Sequence, residues 1–325
     1  MVEVLSYRGG LLNGLRVNIK RPGWMPKVST ITAMLLLIGY EYQLDGANSD
    51  TIATHLYALK AVMEGYKARN ASLLEGVQVA LFWQDLGSCL TARTPRLISH
   101  EEFNTFRRVR NFGRDEYRDI PSGFISGIRE WPKEFINAVQ DLNALCRLVD
   151  ARCGTEDELL EDIEIDNYQA NLQSRLADLL SENRNMEDSR DPVYEACIFA
   201  AYLCTCRLST GIWKGCPIPE VCVNHLIQCV KQATRDAHWI DAPELLFWLL
   251  FVGGGLTHKE HTRLQIITLM QNLLNEYFEG LIPDWETWKI MLQRYVWSER
   301  AMERAVFSFW EEVHFGWKST LSERC

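Results

Sequence analysis

Apolar positions recur along this 325-residue chain at the spacing of helices, not of strands. In DTIATHLYALKAVMEGY, Ile52, Leu56, Leu59, Met63 and Tyr66 follow one another at alternating steps of four and three. That spacing lines them along one face of an amphipathic helix. Start signals precede many such runs. Ser72/Glu75, Ser99/Glu102 and Thr155/Glu158 each read as a capping box. Asp191 reads as a cap with Pro192 at the first helical position, and Asp284 as the cap of WETWKIML. Pro219 and Pro243 also stand where helices should start. These rules predict about a dozen helices. No alternating apolar and polar run closes on a two-residue Asn-Gly or Asp-Gly turn, so hairpins are not expected. The predicted class is all-α, packed over 1–325 as one large domain or as two tightly packed helical subdomains.

Two stretches break the pattern. Thr91 to Gly127 scatters Arg, Gly, Pro and Asp with little periodicity. It reads as a long connection with one short helix, a candidate loop over a pocket. NRNMEDSRDP, Asn183 to Pro192, is a polar break and a candidate subdomain boundary. The acidic run before it, TEDELLEDIEIDNYQANLQSRLADLL, reads as a solvated helix face.

The stretch APELLFWLLFVGGG, Ala242 to Gly255, could be a membrane anchor, a phosphate loop or a buried helix. Its apolar run covers only Leu245 to Val252, far short of the about 20 residues that span a bilayer. MLLLIGY at Met34 to Tyr40 fails the same test, so no membrane partner is expected. A phosphate loop needs a preceding strand, spaced glycines and a following Lys-Ser/Thr, whereas GGGLTHKEH comes at the end of a helix. The prediction is a helix started by Asp241 and Pro243, buried on all sides, and ended by Gly253 to Gly255.

Composition narrows the function classes. Hydrophobic residues make up 47% and charged residues 24%, an ordinary globular balance. The 34 basic and 43 acidic residues leave a net charge of -9, which argues against direct, salt-driven nucleic-acid binding. The ten cysteines are spread along the chain, several inside apolar runs such as ACIFAAYLCTCRL. They read as small core hydrophobes in a reducing compartment. MVEVLSYRGGLLNGL lacks the basic start, long apolar centre and cleavage site of a signal peptide.

Several constellations could carry chemistry. Cys222, His225 and Cys229 share a helix face, and Cys204 or Cys206 could add a fourth zinc ligand. Structural zinc sites use close cysteine pairs in tight loops, so the favoured reading is a core face with one hydrogen-bonded histidine and no metal. His258 and His261 in THKEH lack the spacing of a zinc protease and read as a solvated helix start. His55 adjoins the apolar face of its helix, and the helix before it ends with Glu41. The two could form an acid-base pair or a structural hydrogen bond tying two helices. Asp85 sits beside Trp83, with Arg93 following in the loop. Asp85 could be catalytic, a cap or a salt-bridge partner. No nucleophile elbow, dinucleotide fingerprint or kinase signature is present, so no cofactor is expected. Seven of the eleven tryptophans lie after residue 235. Most should fill the core. Trp83, Trp248, Trp288 and Trp297 are the candidates to line a pocket for a small apolar or aromatic metabolite.

Taken in order, SYRGGLLNGLRVNI, STITAMLLLIGYEYQLDG, THLYALKAVM, ELLFWLLFVGGG and WETWKIMLQRYVW resemble the regulatory, or middle-homology, domain of fungal-specific transcription factors. The matching positions are Tyr40-Glu41, His55, Leu246 to Gly253 and Val296-Trp297, and the resemblance covers most of 5–125 and 190–313. It implies an all-helical fold and a nuclear regulator. The family normally carries an N-terminal cluster of six cysteines that binds two zinc ions. Here no cysteine precedes Cys89 and no close basic cysteine cluster occurs. The chain is therefore expected to lack a DNA-reading module, and it starts late relative to the family.

Three functions follow as expectations. The first is a regulatory domain, nuclear or cytoplasmic, that holds a metabolite or a protein partner. The second is a cofactor-independent enzyme of secondary metabolism, a cyclase, isomerase or dehydratase, with Glu41, His55, Asp85 and Arg93 as the residues to test. The third is a scaffold or homodimerisation domain built on the Trp-rich C-terminal helices.

Overall fold

The computed structural model describes residues 9–10, 12–17, 27–45, 50–67, 75–92, 96, 119–125, 129–151, 158–185, 191–208, 216–235, 239, 242–277 and 284–322. Every regular element among them is helical and none is a strand, as the apolar spacing predicts. By their contacts the residues divide into two compact units, Met1–Phe103 and Asn104–Cys325.

In the first unit, α1 (Val28–Asp45), α2 (Asp50–Lys67) and α3 (Glu75–Ala92) pack on one another. α1 buries Ile31, Met34, Leu37 and Ile38, and α3 buries Leu81, Phe82, Leu86 and Leu90. α2 buries Ile52, Leu56 and Leu59, the stripe that its spacing predicts, and then Val62 rather than Met63.

The second unit contains α4 (Ser122–Ile125), α5 (Lys133–Asp150), α6 (Glu158–Asn185), α7 (Pro192–Leu208), α8 (Ile218–Arg235), α9 (Pro243–Leu256), α10 (Glu260–Tyr277), α11 (Trp285–Leu292), a π-helical turn (Glu299–Glu303) and α12 (Arg304–Ser322). α7 is its axis and packs against α5, α6, α8 and α9. Every residue of α7 from Pro192 to Cys206 is buried. α9 is the second buried helix, covered from Leu245 to Leu256 and flanked by α10, α11 and α12.

The local signals explain the starts. Asp191 Oδ1 accepts from the N–H of Val193 at 3.0 Å and of Tyr194 at 3.1 Å, so it caps α7. Asp284 Oδ1 accepts from Thr287 N–H at 2.8 Å and caps α11. Pro243 opens α9. The residues Ser72, Ser99, Glu102 and Thr155 lie outside the described residues.

The glycines of α9 do not end it, contrary to expectation. The helix runs through Gly253, Gly254 and Gly255 to Leu256, and Thr257 closes it in an extended conformation. The reason is packing. A Cβ on Gly254 would fall 2.2 Å from the Phe309 ring, and one on Gly255 would fall 2.8 Å from Val306 Cγ2. Glycine here lets α12 approach the α9 backbone. Beyond α9, Thr257 and Thr262 both donate to the buried carboxylate of Glu220, while His258 and His261 between them face solvent.

Candidate functional site

In the first unit the fold brings together two of the residues that sequence reasoning singles out. Glu41 lies on the same face of α1 as Met34, Leu37 and Ile38, so the stripe that builds the core carries its side chain inside. It is fully buried. His55 stands one turn from Leu59 on α2, and its Nε2 lies 3.8 Å from Glu41 Oε1. That separation is too long for a direct hydrogen bond but is an ion-pair contact once the imidazole is protonated. A buried carboxylate beside an imidazole can hold a proton or tie two helices.

Asp85, on α3, is 3% exposed. Its partner is Arg96, 7% exposed, with Nε 3.2 Å from Asp85 Oδ2. The guanidinium also lies 5.8 Å from the centre of the Phe82 ring, which meets Trp83 edge-on at 5.3 Å. Arg93 falls outside the described residues. The sequence TARTPR offers two arginines, and no local signal distinguishes Arg96 from Arg93.

In the second unit an aromatic hub gathers around Phe124. Its ring makes edge contacts with Trp131 and Phe135 at 5.8 Å, Trp248 at 5.6 Å and Tyr295 at 5.3 Å. Trp248 stacks on Tyr295 and donates its indole N–H to Val296 O at 3.2 Å. Burial, and then the Glu244 carboxylate, hold the Tyr295 phenol protonated well above its usual range. Trp288 is packed between Phe247 and Phe251 at 5.1 and 5.0 Å. Trp297 differs: it is 8% exposed, and its buried Nε1 has no hydrogen-bond partner among the described residues.

Trp297 leads directly into the π-helical turn. Asp150, at the end of α5, accepts from Ser298 Oγ at 2.6 Å and from the N–H groups of Glu299 and Arg300 at 3.1 and 3.0 Å. Ser298 Oγ in turn accepts from Ala301 N–H. Turns of this kind concentrate at functional sites because they re-aim neighbouring side chains.

One polar cluster escapes sequence reasoning. From Gln169 to Ser174 every residue of α6 is buried, which corrects the reading of the acidic run that contains them, Thr155 to Leu180, as a solvated face. Gln173 donates Nε2 to Thr205 Oγ1 at 2.8 Å and lies 3.8 Å from Cys206 Sγ. Its Oε1, and both amide atoms of Gln169, have no partner among the described residues. Glutamine has no apolar periodicity to reveal its burial, so the pattern could not mark these positions.

Cys89, Cys146, Cys197, Cys204, Cys206, Cys222 and Cys229 are buried, and Cys216 is half-buried. No group of three or more metal-ligating side chains converges among the described residues. His225 stacks on Phe199 at 5.3 Å, consistent with a core face. No helix among the described residues is long and apolar enough to cross a membrane.

A family model, the fungal specific transcription factor domain, matches residues 2–322. The search of curated proteins found no match, and the search of solved structures found none.

Proposed function

We propose, starting from the fact that the chain belongs to the fungal-specific transcription factor domain family, that it serves as a regulatory domain. It holds a small apolar or aromatic metabolite, or a protein partner, and so influences transcription. The observation that carries this reading is the family match over residues 2–322. The net charge of -9 also disfavours direct binding to phosphate backbone. Within the second unit Trp297 is the best candidate for ligand contact, because its polar edge is unclaimed while Trp248 and Trp288 are packed against core rings. In the first unit Trp83 is half-buried beside Phe82 and is the second candidate for ligand contact. The nucleus is the expected site of action.

The test is a tethered reporter. The full chain, fused to an unrelated DNA-binding module in a yeast reporter strain, should change output relative to the module alone. The unfused protein should leave labelled duplex DNA unshifted at physiological salt. Output equal to that of the module alone would sink the regulatory reading.

A second reading, a cofactor-independent enzyme, is favoured by one observation, the buried Glu41 beside His55. It predicts that deletion of the gene leaves transcripts intact while one metabolite accumulates. It further predicts that His55→Ala abolishes conversion of that metabolite without unfolding the protein.

A further inference from the structure

The buried amides of α6 have a direction and a donor-acceptor pattern. Gln173 reaches α7 at Thr205, and Arg184 reaches α7 at Glu195, so the two helices run antiparallel. Gln169 lies one turn from Gln173 on the same face of α6. That register sets it opposite the position just past Leu208, the last residue of α7.

The orientation of Gln173 is fixed by its partner. Thr205 donates its hydroxyl to Tyr202 O at 2.6 Å, so its oxygen presents lone pairs to Gln173. The Gln173 amine must therefore point at Thr205, and its carbonyl oxygen must point away. Beside it, the fully buried Gln169 offers one carbonyl oxygen and one amine. The open set is thus two acceptors and one donor group. The complement is a molecule with N–H donors next to a carbonyl oxygen.

Charge narrows the choice further. Arg175 is paired with Asp141 and Arg184 with Glu195. Arg207 stands two residues on from Thr205, about 200° round α7, and so faces away from α6. Among the described residues, then, no cation faces these amides to hold a carboxylate.

We propose that Gln169 and Gln173 form a binding subsite for the neutral amide or urea head of a small molecule with an apolar body. The amides of α6 read the head. This inference rests on the ligand-binding part of the regulatory reading. It adds the chemical class of the ligand and its place in the fold.

The test uses the full chain and three probes: benzamide, benzoate and ethylbenzene. Binding is read by saturation-transfer NMR and titration. Gln169→Met keeps the shape of the side chain and removes both amide atoms, and Gln265→Ala on the exposed face of α10 is the control. Benzamide should bind the unaltered protein more tightly than either other probe. Gln169→Met should weaken it about tenfold, the effect of losing one well-made buried hydrogen-bond pair. Ethylbenzene should bind both forms alike. If Gln169→Met perturbs folding, Gln173→Met supplies the same comparison.

Equal benzamide affinity in the unaltered and Gln169→Met proteins would overturn the subsite. So would benzamide binding no tighter than ethylbenzene while Gln169→Met melts higher, the signature of amides that pair only with ordered water. Failure of the regulatory reading is registered separately, by a silent tethered reporter, and leaves the titration result unaffected.

Discussion

Gly255 of α9 lies against the backbone of Val306 in α12: a Cβ there would stand 3.0 Å from Val306 Cα and 2.8 Å from its Cγ2. Backbone cannot move aside as a flexible side chain can. Gly255→Ala should therefore destabilise the protein by about 1–3 kcal/mol, the usual cost of overpacking. Gly253→Ala should behave oppositely, because its nearest neighbours, Ile266 Cδ1 and Leu226 Cδ2, lie at 3.4 Å. There the gain in helix propensity, up to about 1 kcal/mol, offsets the contact. Urea melts of the two variants should bracket the unaltered protein. Equal midpoints for both would remove the argument.

The pair Asp85 and Arg96 gives a second expectation. Both are more than nine-tenths buried, so Asp85→Ala leaves a guanidinium desolvated without that carboxylate. The expected loss is on the order of 3 kcal/mol. The double change Asp85→Asn with Arg96→Met should recover much of it. A double-mutant cycle showing no coupling would mean that the contact is incidental.

Trp248 and Trp297 should respond differently to the same change. Trp248→Phe removes the indole donor from Val296 O and leaves that carbonyl without it, at a cost of about 1–3 kcal/mol. Trp297→Phe deletes an N–H with no partner among the described residues, so it should cost less. Thermal melts compare them directly, and a larger loss for Trp297→Phe would refute the assignment of its edge as unclaimed.

Thiol chemistry supplies a pH dependence. Burial pushes Cys197, Cys204, Cys206 and Cys146 well above the ordinary thiol range. A group whose native pKa is raised binds its proton more tightly when folded. Its contribution is therefore complete below the unfolded thiol pKa of about 8.5 and is lost progressively above it. Stability should fall as pH rises past that point. In native alkylation at pH 8, half-buried Cys216 should react first among the eight described cysteines. Mass spectrometry that found Cys197 or Cys204 modified as early would contradict their burial.

Asp284 behaves with the opposite sign. The N–H and hydroxyl of Thr287 hold its carboxyl below the usual range. Its contribution is present above the unfolded value of about 3.9 and is lost as pH falls through the lower native value. The gap in melting temperature between the unaltered protein and Asp284→Ala should be constant at neutral pH and close in acid. A gap that persists after full protonation would assign the effect to something other than the charged cap.

The features legible in the sequence are the ones whose causes are local. Asp191, Pro192, Pro243 and Asp284 mark helix starts through atoms within three residues of themselves. The stripe Ile52, Leu56 and Leu59 is legible because burial repeats with the helix period. Gly254 and Gly255 are not legible in this way, because glycine after an apolar run is the ordinary sign of a helix end, and the reason for keeping the helix going lies some fifty residues away at Val306 and Phe309. The proximity of Glu41 and His55 could be anticipated, since each borders a legible apolar face. Arg96 and the amides of α6 could not, because tertiary neighbours alone select them.

The hold of Asp150 on the turn that begins at Ser298 has a consequence for how the protein is made. Its carboxylate is separated from Ser298 by 148 residues and reaches across that gap to three donors. At ribosomal speeds of about 5–20 residues per second, the aspartate exists for roughly 7–30 s before its first partner is synthesised. During that interval α5 and its neighbours can form but cannot be latched. The second unit thus completes itself only when its final stretch leaves the ribosome, and a nascent chain stalled before Ser298 carries an open acceptor where the finished protein has a closed joint.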